Sequence, residues 1–237
     1  MEANIQPAKG EAMFKKIELY DQAEELGDII EKLAAIAASM REAFAHQQSR
    51  FLEDVDNQYL ELNEEIAFDA VMAEEQTFGK PLYYKEPIFR YEDILTHLQM
   101  IDKTLKQVAD ALRNQMRDGI LFTGMEAEEI NMLMERQESI LHAIAEVVRN
   151  CDDNHLKEVN NECRAVADSC LKFATSCESP LVEGLCTPES APTLLTILSR
   201  MQTLARNEVE TLKLLSAWIW DRVVNGTSVN TAGHPSY

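Results

Sequence analysis

Glycine and proline, which interrupt helices more often than any other residues, are absent from four long stretches of this chain. These stretches cover residues 28–78, 88–118, 125–179 and 193–225. Each is rich in good helix formers, and none shows the sustained apolar and polar alternation that marks a half-buried strand. The chain is therefore predicted to be all-α.

Within these stretches, apolar residues recur at the spacing of helix turns. The clearest stripe has alternating steps of four and three residues, and it consists of Ile94, Leu98, Ile101, Leu105, Val108 and Leu112. A helix buries such a stripe against partner helices in a bundle. The stripes and the breakers together predict six helices, at about 14–48, 50–77, 90–117, 125–149, 152–178 and 193–223.

Composition and charge exclude several functional classes. The 237 residues include 22 Lys and Arg against 41 Asp and Glu, a formal net charge of −19, and 46% of them are hydrophobic. A chain of this length can bury a substantial core, and its charge repels nucleic-acid phosphates and anionic lipid surfaces. With no basic-then-apolar signal and no membrane-length apolar run, we expect a cytoplasmic protein that neither binds nucleic acid nor inserts into a membrane.

The two halves of the chain align with each other as a repeat. At an offset of 100 residues, Asp-Ile-Leu-Thr-His-Leu at 93–98 matches Thr-Leu-Leu-Thr-Ile-Leu at 193–198. At an offset of 104, Ala-Glu-Glu-Leu at 23–26 matches Ala-Glu-Glu-Ile at 127–130, and the second and fifth helices match at this same offset. The collinear order of three helix pairs favours duplication over chance similarity between helical sequences.

The repeat predicts a six-helix bundle built from two tandem three-helix units. We expect the first unit to span residues 14–120 and the second to span 121–224. Residues 1–13 and 225–237 are predicted to be flexible ends.

Two tandem three-helix units, each ending in a helix of the form Ile/Leu-Leu-x-x-Leu with a short charged motif, resemble the PhoU-like family of bacterial phosphate-uptake regulators. The resemblance is one of layout and covers about residues 14–223. It implies a non-enzymatic accessory protein that contacts the cytoplasmic side of a phosphate transporter or a sensor kinase. The family also favours homodimers, which the sequence itself neither supports nor opposes.

The fingerprint of that family is a Leu-Glu-Arg-Ile-Gly-Asp-like run in the third helix of each unit, whose two acids can bind metal ions. At the first acid this chain has Lys106 and Arg206, and at the second it has Asp110 and Glu210. A fixed cation beside the remaining carboxylate repels a metal ion. We therefore expect no metal and no cofactor, and an ion pair in each unit, Lys106 with Asp110 and Arg206 with Glu210.

The segment 78–91 concentrates aromatic and basic side chains in an otherwise acidic chain. It is predicted to connect the second and third helices, because Pro81 and Pro87 lie within it. If exposed, it suits protein recognition, and its candidate contact residues are Tyr83, Tyr84, Phe89 and Arg90. If packed, it is a connection pinned over the open end of the first unit.

Two alternative functions remain open at the level of sequence. A metal-binding helical bundle could use Glu42 with His46 or Glu138 with His142, because a spacing of four places both side chains on one helix face. The Glu-x-x-His motif of di-iron carboxylate bundles is absent. The other alternative is a dimerising helical scaffold unrelated to phosphate.

A few further residues have possible chemistry. Cys163, Cys170 and Cys177 recur every seven residues and are predicted to pack as small apolar side chains. Glu208 falls where the stripe of the sixth helix expects an apolar residue, and an edge position is favoured over a buried carboxyl with a raised pKa. Neither a Ser-His-Asp set nor a glycine-rich phosphate loop is present, so no enzymatic activity is predicted.

Overall fold

The computed structural model describes residues 9–178 and 187–227, with side chains described except at 9–21, 82–84 and 221–227. Within these ranges the chain forms six α-helices, a short 3-10 helix at Ser49–Leu52, and no strand. The helices are α1 (Lys9–His46), α2 (Val55–Thr77), α3 (Leu82–Arg117), α4 (Gly124–Asn150), α5 (Asp153–Glu178) and α6 (Ala191–Thr227). The predicted all-α fold is confirmed.

The predicted flexible ends fall mostly outside the described residues. Residues 1–8 and 228–237 are not described, whereas residues 9–13 belong to α1 and residues 225–227 to α6.

None of the described helices combines the length and the hydrophobicity that crossing a bilayer requires.

Helix α3 begins eight residues earlier than predicted, because Pro87 lies inside the helix and does not end it. Proline at this position has no N–H to donate to the carbonyl of Tyr83, four residues earlier. The helix continues through it, and Ile88 and Tyr91 in the following turn are buried in the core. Their burial offsets the lost hydrogen bond, so only residues 78–81 remain as a connection.

Each three-helix unit packs against the other through its first and third helices. Helix α1 lies mainly against α4, and α3 lies against both α6 and α2. Helix α5 packs on α6 as α2 packs on α3. One continuous apolar core runs through both units, from Leu26 and Ile94 in the first to Leu133 and Leu198 in the second.

Charged side chains line the outer edge of the α1–α4 contact. Arg149 of α4 extends across α1, where its guanidinium lies 2.7 Å from Asp28, 3.3 Å from Glu31 and 3.5 Å from Glu24. A Cβ at Gly27 would lie 2.6 Å from Nε of Arg149, so the missing side chain makes room for this crossing.

Local details recur in the two units at the offset read from the sequence. Gln47 ends α1 and Cys151 ends α4 in the same left-handed conformation, with φ of 50° and 53°, and these positions are 104 residues apart. Asn63 contacts Asp102 in the first unit, and the residues equivalent to this pair, at 167 and 202, are also hydrogen bonded to each other. These equivalences support a duplicated origin for the two units.

Candidate functional site

The fingerprint position of the first unit carries a network of four alternating charges. Lys106 Nζ lies 2.7 Å from both carboxylate oxygens of Asp110 and 3.1 Å from Oδ1 of Asp56. Arg113 Nη1 lies 2.8 Å from Asp110 and 3.1 Å from Asp56, and Nη2 donates to the carbonyl of Leu52 at 2.6 Å. The predicted ion pair of this unit is therefore present, as part of the first-unit charge network: Asp56, Lys106, Asp110 and Arg113.

This network does not fit a metal ion. Burial alone would raise the pKa of Asp56, but hydrogen bonds and charges from Lys106 and Arg113 outweigh burial and hold it below its usual value. Burial acts against the charge of Lys106 as well, yet Asp110 and Asp56 raise the pKa of its ammonium group. Two cations already neutralise the two carboxylates, so a hard cation would have to displace both.

The equivalent positions in the second unit form a smaller set of charges. Asn160 replaces Asp56, and Lys213 Nζ lies 2.6 Å from Oε1 of Glu210. Arg206 is exposed and makes no ion pair within the described part of the chain, so the predicted pair of Arg206 with Glu210 is wrong. On a helix, Glu210 can reach a cation three residues ahead as readily as one four behind, and the neutral Asn160 offers Arg206 no second carboxylate.

The difference between the units gives a matched pair of substitutions. Lys106→Ala should lower the free energy of unfolding by about 0.5 to 1 kcal/mol, because it removes contacts with two carboxylates at a half-buried site. Arg206→Ala should change it by less than about 0.5 kcal/mol, because no ion pair is lost. Urea titrations of both variants would test this, and equal losses would contradict it. In 1 M salt the loss at Lys106 should shrink.

The aromatic segment is partly packed and partly exposed. Tyr91 is buried, and its hydroxyl donates to Oε2 of Glu25 at 3.0 Å. Phe78 and Phe89 are exposed, and Arg90 pairs with a glutamate one turn earlier in α3. The side chains of Tyr83 and Tyr84 lie outside the described residues, although their backbone belongs to α3.

The structure treats the two Glu–His pairs differently. Nε2 of His46 lies 3.2 Å from Oε2 of Glu42. Glu138 instead accepts from an arginine of α1, and Nδ1 of His142 lies 2.7 Å from Glu31, so Glu138 and His142 do not form a pair. Among the described residues, no three His, Cys, Asp or Glu side chains are grouped so that they could hold a metal ion.

Glu208 lies in the core of the second unit, so the predicted edge position is wrong. Its side chain is fully buried, and Oε1 accepts a 2.7 Å hydrogen bond from Nε2 of Gln137. Burial raises the pKa of this carboxyl to about 8, although hydrogen bonds from Gln137 and Cys163 act against the rise. Residue 208 lies three residues after Ala205 and four before Leu212, the same spacing as in the buried stripe of α3, and α6 does not rotate to remove the acid from it.

A second buried carboxyl, Asp102, was missed by sequence reasoning. Oδ2 accepts a 2.6 Å hydrogen bond from Asn63, and burial raises the pKa of the carboxyl to about 7. Its spacing of four from Leu98 and three from Leu105 placed it on the apolar stripe, which was the available signal.

The cysteines differ in their roles. Cys163 and Cys170 are buried free thiols, and burial raises the pKa of each, to about 12 for Cys170. Both therefore pack as predicted and remain protonated. Cys177 packs against the core but is also disulfide-bonded, so a purely packing role was wrong for this residue.

The fold is similar to that of the phosphate transport system regulatory protein PhoU from Streptococcus pneumoniae. The match covers 87% of this chain and 96% of that chain, with a TM-score of 0.70 and 12% sequence identity. No family model matches the sequence, and neither does any curated protein. At this identity the similarity establishes the fold, and function has to be argued separately.

Proposed function

We propose that this protein is a non-enzymatic accessory or regulatory protein of phosphate transport or phosphate-responsive signalling, acting in the cytoplasm through contact with other proteins. The observation that carries the proposal is the fold similarity to a phosphate transport regulator over almost the whole of both chains. The repeat layout of the sequence supports the same assignment independently of the fold similarity.

The chemistry of the described residues supports action by contact. The carboxyls with the largest pKa shifts, Asp102 and Glu208, are buried inside the bundle, where a substrate has no access. The half-buried charges of the first-unit charge network neutralise one another. A groove of about 500 Å³ between α4 and α5 includes Arg136, but an ion pair with Glu162 occupies that guanidinium.

Deletion of the gene tests the proposal. In phosphate-rich medium, the deletion strain should show altered phosphate uptake and unscheduled activity of a phosphate-starvation reporter, and the wild-type gene should restore both. Sulfate uptake serves as the specificity control and should not change. If uptake and reporter are the same with and without the gene, the phosphate assignment fails and the scaffold alternative gains support.

A further inference from the structure

Helix α2 carries an exposed apolar stripe on the side that faces away from the bundle. Its inward side buries Leu62 and Ile66. Its outward side exposes four large apolar side chains within about a third of the helix circumference, and Phe78 just beyond the helix is 90% exposed. The members of this α2 outer face are Leu60, Phe68, Val71 and Met72. Phe68, Val71 and Met72 are neighbours at helical spacings of three and four, and Leu60 lies two turns earlier on the same side. Exposed apolar side chains grouped on one face in this way mark interaction sites.

The same face is strongly acidic. Helix α2 contains seven Asp and Glu and no Lys or Arg. Glu61, Glu64 and Glu75 point outward between the apolar residues and form no ion pair within the residues that the structure describes. Glu61 and Glu64 are three residues apart on the helix surface, so their like charges repel each other. A positively charged partner would relieve this repulsion.

The second unit provides an internal comparison. At the offset of 104, the positions equivalent to Leu60, Phe68, Val71 and Met72 lie on α5 and are Arg164, Lys172, Thr175 and Ser176. Helix α5 has the same place in its unit as α2 has in the first, and it folds with polar residues on this face. Packing therefore does not require the apolar stripe of α2, which points to a binding role.

The charge selects the occupant of this face. A second copy placed face to face would bring the unpaired glutamates of both α2 helices together, and an anionic lipid surface would be repelled for the same reason. A helix with Lys or Arg flanking an apolar stripe matches both properties of the face. We infer that the α2 outer face docks a basic amphipathic helical segment of a partner protein. This inference rests on the proposed function and specifies its contact surface.

A synthetic amphipathic peptide tests the inference with the full chain. The probe is a fluorescein-labelled 18-residue helix of leucine and lysine, followed by fluorescence anisotropy. Wild-type protein should bind it, and Phe68→Lys, which installs the residue found at the equivalent α5 position, should weaken binding by about tenfold or more. Binding should also weaken as salt is raised, because charge attraction contributes.

Matched controls separate this face from general acidity. Leu171→Lys removes an exposed leucine of α5 and adds the same charge, and it should leave the affinity within about twofold. Phe68 is 63% exposed, so both variants should keep the wild-type circular dichroism spectrum and melting temperature. The inference fails if wild-type protein does not bind the peptide, or if the two variants lose affinity equally.

Two further measurements make the outcomes distinguishable. If wild-type protein is a dimer by light scattering and Phe68→Lys is a monomer, the face belongs to a second copy and the inference is overturned. Complementation of the deletion strain with Phe68→Lys should fail while Leu171→Lys succeeds. If the deletion strain has a phosphate phenotype and both variants complement it, the proposed function stands and this surface is rejected. If the peptide binds but the deletion strain has no phosphate phenotype, the surface stands and the proposed function is rejected.

Discussion

Replacing Glu208 by glutamine should raise the free energy of unfolding by about 4 to 5 kcal/mol at pH 9 and change it by less than about 1 kcal/mol at pH 5. The buried carboxyl has a pKa of about 8 in the folded protein, against 4.5 for an unperturbed glutamate. Between these values the folded state holds a proton that the unfolded state has released. Wild-type stability from this group is therefore complete below pH 4.5 and is lost as the pH rises through 8.

The variant isolates the effect of titration, because glutamine resembles the protonated carboxyl and its side-chain oxygen can still accept the hydrogen bond from Gln137. Chemical denaturation of both proteins from pH 5 to pH 9 gives the difference directly. Glu210→Gln, two residues further along and exposed, serves as the control for removing a carboxylate outside the core. A stability difference at residue 208 that is the same at every pH would mean that its carboxyl titrates normally.

Replacing Glu126 by alanine should lower the free energy of unfolding by about 2 to 3 kcal/mol, because a buried hydroxyl and a part-buried backbone N–H lose their acceptor at once. Oε2 of this fully buried side chain accepts the N–H of Thr123 at 2.6 Å, completing a capping box at the start of α4. Oε1 accepts the hydroxyl of Ser190 at 2.7 Å, which ties the start of α4 to the residue before α6.

Denaturation of a small series checks this assignment. Glu126→Gln keeps one acceptor oxygen, so its free energy of unfolding should fall by about half as much as that of Glu126→Ala. Glu128→Ala, at an exposed position, should have a free energy of unfolding within about 0.5 kcal/mol of wild type. The double variant Glu126→Ala with Ser190→Ala should lose less unfolding free energy than the sum of the two single variants, because both single variants remove the same hydrogen bond. Additive losses would show that the Ser190 contact contributes nothing.

Much of the fold could be predicted from sequence, because its helices are long and its breakers few. Where prediction failed, a contact from another helix decided the outcome. Pro87 was predicted to lie before the start of α3, but the helix continues through it because the side chains of the following turn are buried. The ion pair of Lys106 was predictable from its own helix, whereas the missing pair of Arg206 depends partly on Asn160, which comes from α5.

The functional features were less accessible for the same reason. Glu208 occupied an apolar position, and the hydrogen bonds from Gln137 on α4 and Cys163 on α5 explain how the bundle accommodates it there. Exposure of Phe68 could not be inferred, since a stripe of apolar residues on α2 does not reveal which side faces solvent. The comparison with α5 becomes informative only after both helices are placed in equivalent positions.

The packing of the two units against each other bears on how this chain could have evolved. The first helix of each unit packs mainly against the opposite unit, and the third helices of the two units pack extensively against each other. An ancestral three-helix protein with these surfaces would have had to form a homodimer in order to bury them. The stability of its fold would therefore have depended on its concentration in the cell. Fusion of two copies into one polypeptide removes that dependence and frees each copy to diverge, as the acidic face of one and the polar face of the other have done.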